Sequence, residues 1–301
     1  MRVHPVVADA ASVVNVVAES LGQPLSLHSE LDIDVYRLHR TQAEPDLVAR
    51  VFGPGVERTM VDAAARVLQA LAGTRFPAER CLSTDPVLPI GQNRHVLVTE
   101  YVTASPAPHP GFVLAWCAGL LAGLASRSAQ ALPAGGGWHR LGATPSLEID
   151  AALALGGQIG SPVAEVVDTL ADSDDGAGLP EALIHSDLTP PNAVPQGEQP
   201  PVIIDWIGVG RGPRIWPLAF LLYVAGPRWA RRGLDRYARS VSLSEEELHR
   251  LPAIMIARPL TLDLWAVAHE RMTAQQAITR CRGHRSRVNA ILSAVNDVDP
   301  V

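Results

Sequence analysis

The stretch that decides the fold lies at residues 183–206. It begins LIHSDLTPPNAV and, after a short turn, ends VIIDW at residues 202–206. The first segment opens with apolar residues and then carries three polar side chains, those of His185, Asp187 and Asn192. The second segment is a β-branched run, typical of a buried strand, and it delivers Asp205. Two hydrophobic segments therefore each present a carboxylate where they end, with an amide between them in sequence.

These side chains suit a divalent cation and a reacting hydroxyl group. A hard cation such as Mg²⁺ takes oxygen ligands from a few fixed points and keeps several waters. Asn192 and Asp205 can supply two such oxygens, which leaves Asp187 to orient a hydroxyl group and accept its proton. Kinase-type phosphoryl transfer divides its work in this way, with a loop Asp at the acceptor, an Asn five residues later and a strand-end Asp at the metal.

The pattern His185-x-Asp187-x4-Asn192, followed by Ile204-Asp205-Trp206, resembles the aminoglycoside phosphotransferase family of small-molecule kinases. The polar positions, their order, their spacing and both apolar flanks agree with the motif of that family. Taken singly, each residue also fits a polar turn between core strands, but that alternative does not explain the set. The resemblance implies that Asp187 is the catalytic base and that Asn192 and Asp205 hold Mg²⁺. His185 belongs to the same catalytic loop, where pinning the loop is favoured over a proton-shuttle role.

The resemblance also implies an α+β, protein-kinase-like fold with two lobes. Residues 1–102 would form an N-terminal nucleotide-binding lobe with a small antiparallel β-sheet. Residues 103–301 would form a mostly helical C-terminal lobe for catalysis and substrate binding. The patterns in the chain agree with this order, and they predict a helix in 5–20, strands at 32–38, 47–52 and 95–100, a helix at 56–72, and helices at 112–130, 146–171, 218–224 and 260–295, the last with a break near 282–283. A capping box predicts a further helix start at Ser244 and Glu247.

The nucleotide side of the resemblance rests on Arg50 in the strand Val48-Ala49-Arg50-Val51. Kinases place a cation on this strand to hold the α- and β-phosphates, and the planar guanidinium suits phosphate oxygens. An exposed strand arginine is the alternative. Asp62 is the first candidate for a carboxylate that orients Arg50, and Glu57 is the second. The backbone of a hinge would contact the purine of ATP or GTP, whichever is the donor, in the segment Glu100, Tyr101 and Val102.

Two departures from the family pattern qualify the resemblance. Residues 21–38 hold only Gly22, so a glycine-rich phosphate loop is missing there. After the strand, the sequence Gly212-Pro213-Arg214-Ile215-Trp216-Pro217-Leu218-Ala219 keeps the Leu-Ala of the family but lacks its two acids, which puts the support of that loop in doubt.

The composition of the chain indicates which partners and which cellular compartment to expect. The net charge of −6 argues weakly against a nucleic-acid partner, and all 25 basic side chains are arginine. The three cysteines have no metal-ligand spacing, which favours a reduced cytoplasmic protein. The most apolar stretch, 112–125, is shorter than the ~20 residues of a membrane span. We therefore expect no nucleic-acid or membrane partner, and the oligomeric state stays open.

These observations predict an NTP- and Mg²⁺-dependent O-phosphotransferase that acts on a hydroxyl group of a small molecule. The first expectation for the acceptor is an aminoglycoside or another antibiotic, in resistance or self-protection; macrolides, peptide antibiotics, amino alcohols, sugars and homoserine are open. A cationic acceptor would need carboxylates, for which the candidates are Asp172, Asp174, Asp175, Asp263 and Glu270. A non-catalytic, kinase-like nucleotide-binding protein is an alternative. Another is a metal hydrolase with His185 and Asp187 as ligands, which needs further ligands.

Overall fold

The computed structural model describes residues 9–41, 44–53, 56–91, 93–127, 152, 154 and 162–296. The part of the predicted helix 146–171 before residue 162 therefore lies almost wholly outside the described residues. The chain divides into two compact units. One comprises Met1–Ser105 with Val202–Ile207, and the other comprises Pro106–Pro201 with Gly208–Val301.

The first unit is built on a five-stranded antiparallel sheet. Its strands are β1 (Leu25–Asp32), β2 (Val35–Arg40), β3 (Leu47–Phe52), β4 (Val87–Pro89) and β5 (His95–Glu100), in the order β1-β2-β3-β5-β4. Helices α1 (Ala10–Leu21) and α2 (Arg58–Ala72) complete the unit. Val13 and Val17 of α1 share a core cluster with Ala49 and Val51 of β3. Because neighbouring side chains of a strand point to opposite faces, Arg50 lies on the other face of the sheet.

The second unit is mostly helical. Its helices are α3 (Pro110–Ala125), α4 (Pro162–Ala171), α5 (Trp216–Ala225), α6 (Pro227–Ala238), α7 (Glu245–Ala268) and α8 (Ala274–Asn296). Short strands form two pairs, β6 (Glu181–Ile184) with β9 (Gly210–Pro213) and β7 (Ala193–Gln196) with β8 (Gln199–Ile203). The end of β8 falls in the first unit. The α+β architecture expected from the sequence is thus present in the described residues.

Helix α7 is the one helix in the described part of the chain that is long and apolar enough to cross a membrane. In its most apolar window 61% of the residues are buried inside the protein. The helix also contains Pro252 and Pro259 and the buried charged residues Arg258 and Asp263. These features are those of a core helix.

Two boundaries differ from the sequence-based expectation. The period-two run 32–38 crosses a tight turn between β1 and β2, where Asp34 adopts a φ of 57°. The break in the last helical region comes after Ala268, where Glu270 has a φ of 57° and Thr273 exchanges hydrogen bonds with Gln276. Gly283 instead lies inside α8, where a Cβ would meet nothing within 4 Å. A local sequence pattern predicts the type of an element more reliably than the residue at which it ends.

The loop that lacks the two family acids is supported by Arg214. Its guanidinium donates to both carboxylate oxygens of Glu247 at 2.8 Å and to the Ser242 carbonyl at 2.7 Å. Glu247 also closes the predicted capping box with Ser244, at the start of α7. Burial raises the pKa of Glu247, but hydrogen bonds from Arg214 and the Ser244 backbone outweigh it and hold that pKa below its ordinary value. Arg214, which belongs to the loop itself, therefore anchors the loop to the start of α7.

A second arginine, Arg250 on α7, makes the stability at acid pH depend on one carboxylate. Arg250 donates to Asp174 through Nε at 2.6 Å and through a terminal nitrogen at 2.7 Å, and these hydrogen bonds lower the pKa of Asp174 below its ordinary value of 3.8. The stabilisation is therefore present above pH 3.8 and is lost as the pH falls through the lowered value. We expect Asp174→Asn to cost about 1.5 kcal/mol at neutral pH.

Denaturant titrations of the wild type and Asp174→Asn at several pH values test this. The difference in unfolding free energy should shrink as the pH falls below 3.8. Asp235→Asn, an exposed acid on α6, is the matched control. A difference that did not change with pH would contradict the role of the ion pair.

Candidate active site

The predicted catalytic loop follows β6, which pairs with β9 through Ile184 and Gly210. His185 is fully buried, and its Nδ1 accepts a hydrogen bond from the backbone N–H of Asp187 at 3.1 Å. The side-chain amide of Asn192 donates to the carbonyl and to Oδ2 of Asp187, both at 3.0 Å. These hydrogen bonds fix the conformation of the loop at Asp187, whose side chain is 31% exposed. The contact of His185 fits the pinning role expected for it.

Arg50 occupies a buried network in the first unit. Its guanidinium donates to Glu79 at 2.7 Å and to Thr99 at 3.2 Å, and the Thr99 hydroxyl donates to the same Glu79 oxygen at 2.8 Å. Arg50 is 8% exposed and Glu79 is 2% exposed. Burial lowers the pKa of Arg50, but the Glu79 and Asp205 carboxylates outweigh it and hold that pKa above its ordinary value. The guanidinium is therefore a fixed positive charge.

Glu79 also binds the backbone of Asp205, the predicted metal ligand. Its second oxygen, Oε1, accepts a hydrogen bond from the backbone N–H of Asp205 at 2.8 Å. Asp205 has a φ of 63°, in the left-handed region. A non-glycine residue held there costs of order 1–3 kcal/mol, and such strain clusters at functional sites. One buried carboxylate thus fixes both the cation on β3 and the backbone of the predicted metal ligand.

The pairing of Arg50 differs from the sequence-based expectation. Asp62 lies on α2 and faces Arg58 at 3.4 Å, while Glu57 precedes that helix and accepts from Thr59. The face of α2 that is buried carries alanines and valines, so it offers Arg50 no acid. The carboxylate comes instead from the segment after the helix, where Ala78 bridges to Ile203. Little in the sequence pointed to Glu79 as the partner of Arg50, because it is a single acid in a segment without a regular helix or strand pattern.

The expected hinge uses two of its three backbone donors inside the first unit. The N–H of Glu100 donates to the Arg80 carbonyl at 2.8 Å, and the N–H of Tyr101 donates to the Asp46 carbonyl at 2.7 Å. Arg37 lies 3.9 Å above the Tyr101 ring. Of the three expected donors, the Val102 amide is therefore the one to consider for a purine.

The acids considered for a cationic acceptor have other partners in several cases. Asp174 is bound by Arg250, and buried Asp263 is bound by Arg280 and His284, each at 2.8 Å. Asp175 accepts from the backbone of Ala177. Asp172 and Glu270 are exposed. The metal-hydrolase alternative gains no support here, because the described residues contain no group of three or more His, Cys, Asp or Glu side chains that could hold a metal ion.

A model of the phosphotransferase enzyme family (APH) matches residues 25–252. The chain belongs to this family. The family resemblance inferred from the motif is thus confirmed, and this phosphotransferase is a kinase whose acceptor is a hydroxyl group. Membership implies a nucleotide as phosphoryl donor and a divalent metal. A comparison with curated proteins gives no match.

Solved structures show the same fold. A microcompartment-associated aminopropanol kinase is 20% identical, with a TM-score of 0.68 over 94% of this chain and 98% of the other. The choline kinase LicA from Streptococcus pneumoniae is 16% identical, with a TM-score of 0.63 over 92% and 98%. An aminoglycoside-3'-phosphotransferase of type VIII is 22% identical, with a TM-score of 0.58 over 84% and 99%. These likenesses confirm the protein-kinase-like fold of this phosphotransferase; the roles of its individual residues stay predictions.

Proposed function

We propose that the enzyme transfers the γ-phosphoryl group of ATP or GTP to a hydroxyl group of a small molecule, with Asp187 as the base. The observation that carries the proposal is the ordered loop, in which Asn192 holds the partly exposed Asp187 carboxylate. In the transition state the acceptor oxygen approaches phosphorus while the bond to the leaving nucleotide breaks. The hydroxyl proton then passes to Asp187, and the products are a phosphate monoester and a nucleoside diphosphate.

Each of the two predicted magnesium ligands offers an oxygen atom of suitable chemistry. Asp205 provides a carboxylate on a backbone fixed by Glu79, and Asn192 uses its amide nitrogen on Asp187, which leaves the amide oxygen as its ligand atom. Both are oxygen donors of the kind that Mg²⁺ prefers. When bound, the ion would neutralise charge on the phosphate oxygens. Arg50 would hold the α- and β-phosphates, and the Val102 amide would contact the purine.

The acceptor belongs to one of two classes in this proposal. One is an aminoglycoside or another antibiotic, with a role in resistance, and the other is a small metabolite such as an amino alcohol, a sugar or homoserine. We place the reaction in the cytoplasm, where nucleotide is available, and it needs neither a nucleic acid nor a membrane. The cysteines Cys81, Cys117 and Cys281 are free thiols, as is usual for cytoplasmic proteins.

Thermal-shift titration tests the nucleotide half of the proposal. We expect MgATP, MgGTP or both to raise the melting temperature, because a ligand at a hundred times its Kd adds about 2.7 kcal/mol to the unfolding free energy. Arg50→Met should lose most of this shift. Arg58→Met, which removes a half-exposed arginine of the same unit, should keep it.

The absence of a shift with either nucleotide would contradict the proposal. A screen of antibiotics, amino alcohols, sugars and homoserine for phosphate-ester formation then identifies the acceptor. A protein that bound nucleotide without transferring phosphate would show the shift and yield no ester from any of these classes.

A further inference from the structure

Arg258 is a buried arginine close to the predicted base. It lies on α7, directly before Pro259, and only 5% of its surface is exposed. One terminal nitrogen of its guanidinium is 4.0 Å from Oδ1 of Asp187, and both residues belong to the second unit. Nothing in the sequence motif points to it, because it comes from a helix far along the chain.

The two oxygens of the Asp187 carboxylate thus face different groups. Oδ2 accepts from the Asn192 amide at 3.0 Å, and Oδ1 faces the Arg258 guanidinium. The groups that contact Asp187 in the described part of the chain also include His185, through the Asp187 backbone. A guanidinium is charged at every working pH, so it attracts Oδ1 while the Asn192 amide holds Oδ2, and the two contacts together define the orientation of the carboxylate.

Arg258 also contacts residues other than Asp187. The ring of Phe220, on α5, lies 5.7 Å from it. Pro259 has no backbone N–H and disturbs the helix locally, and the Thr261 hydroxyl donates to the Arg258 carbonyl at 2.8 Å. Taking an arginine out of water is costly, and an apolar residue would fill this position on a core helix without that cost. A buried guanidinium at this position therefore indicates a functional role for Arg258.

We propose that Arg258 is a positioning residue for phosphoryl transfer, which orients the Asp187 carboxylate toward the acceptor hydroxyl. This inference rests on the proposed function. The guanidinium exchanges no atoms: the hydroxyl proton still passes to Asp187, and the phosphorus–oxygen bond still breaks at the leaving nucleotide.

The test compares Arg258→Met and Arg258→Lys with the wild type on an acceptor that the screen has found. We expect Arg258→Met to lower kcat about 100-fold, while the KM for nucleotide changes by less than about threefold. Arg258→Lys should recover part of kcat, because it restores a cation at this position.

Two controls separate positioning from a structural role. Arg250→Met removes an arginine of the same helix that binds Asp174, and it should leave kcat unchanged. In an Asp187→Asn background, Arg258→Met should have little further effect, because residues that act as a unit are not additive. If Arg258→Met does not fold, Arg258→Gln and Arg258→Lys take its place in the same comparison.

An Arg258→Met or Arg258→Gln enzyme that kept its kcat, or that lost kcat and nucleotide affinity together, would overturn the inference. The proposed function would survive that result, since the wild type would still form the ester. No ester from the wild type with any acceptor would instead overturn the proposed function itself.

Discussion

Replacing Asp187 by alanine is expected to lower kcat by about 10³- to 10⁴-fold, the upper range for loss of a general base. The carboxylate is 31% exposed and fixed by Asn192, which suits a group that must meet a hydroxyl in one orientation. Nucleotide binding should survive, because the predicted phosphate cation and hinge belong to the first unit. Steady-state kinetics and nucleotide titration of the same preparations measure the two effects.

Asp187→Asn sharpens that comparison, because it keeps the shape of the side chain and removes its charge. It should be as inactive as the alanine variant. Asp235→Ala, an exposed acid of the same unit, should retain full activity. An Asp187→Ala enzyme with turnover within about tenfold of the wild type would exclude Asp187 as the base, given the size expected for that role.

Glu79→Ala is expected to produce the largest loss of stability. The carboxylate accepts hydrogen bonds from Arg50, Thr99 and the Asp205 backbone. Removing it leaves a buried guanidinium without its counter-charge, which typically costs about 3–5 kcal/mol. The melting temperature should therefore fall by roughly 10–20 °C. The nucleotide-induced shift should also be lost, because Arg50 and Asp205 are no longer fixed.

A double variant separates the two effects of Glu79. Replacing a buried ion pair by apolar residues is often neutral for stability, so Glu79→Leu with Arg50→Met should recover much of the melting temperature. It should not recover nucleotide binding, because the cation is gone. Glu57→Ala, which removes an exposed acid before α2, should change neither quantity. A Glu79→Ala protein as stable as the wild type would contradict the network.

The sequence predicted well what is local. The order and spacing of His185, Asp187, Asn192 and Asp205 can be read along one stretch, and the capping box at the start of α7 depends on two residues in the same turn. The strand pattern around Arg50 likewise predicted its place on β3. These features arise from residues that lie close together in the chain, so periodicity and spacing suffice to find them.

What the sequence did not reveal depends on residues far apart in the chain. Glu79 lies 29 residues from Arg50, in a segment without a regular period, while Asp62, which is nearer in sequence, lies on α2 beside Arg58. Arg258 was hidden within an apolar helix pattern, where an arginine is ordinarily a surface residue. Contacts of this kind become visible only once the elements are packed.

Transfer of labelled γ-phosphate from ATP or GTP to a panel of hydroxyl acceptors, with Mg²⁺ present, tests the proposed reaction most directly. The wild type should yield a labelled phosphate ester with at least one acceptor. Asp187→Asn and Asp205→Asn should yield none, while Asp187→Asn still binds nucleotide. An ester formed at the wild-type rate by Asp187→Asn, or nucleotide bound by the wild type without an ester from any acceptor class, would contradict the proposal.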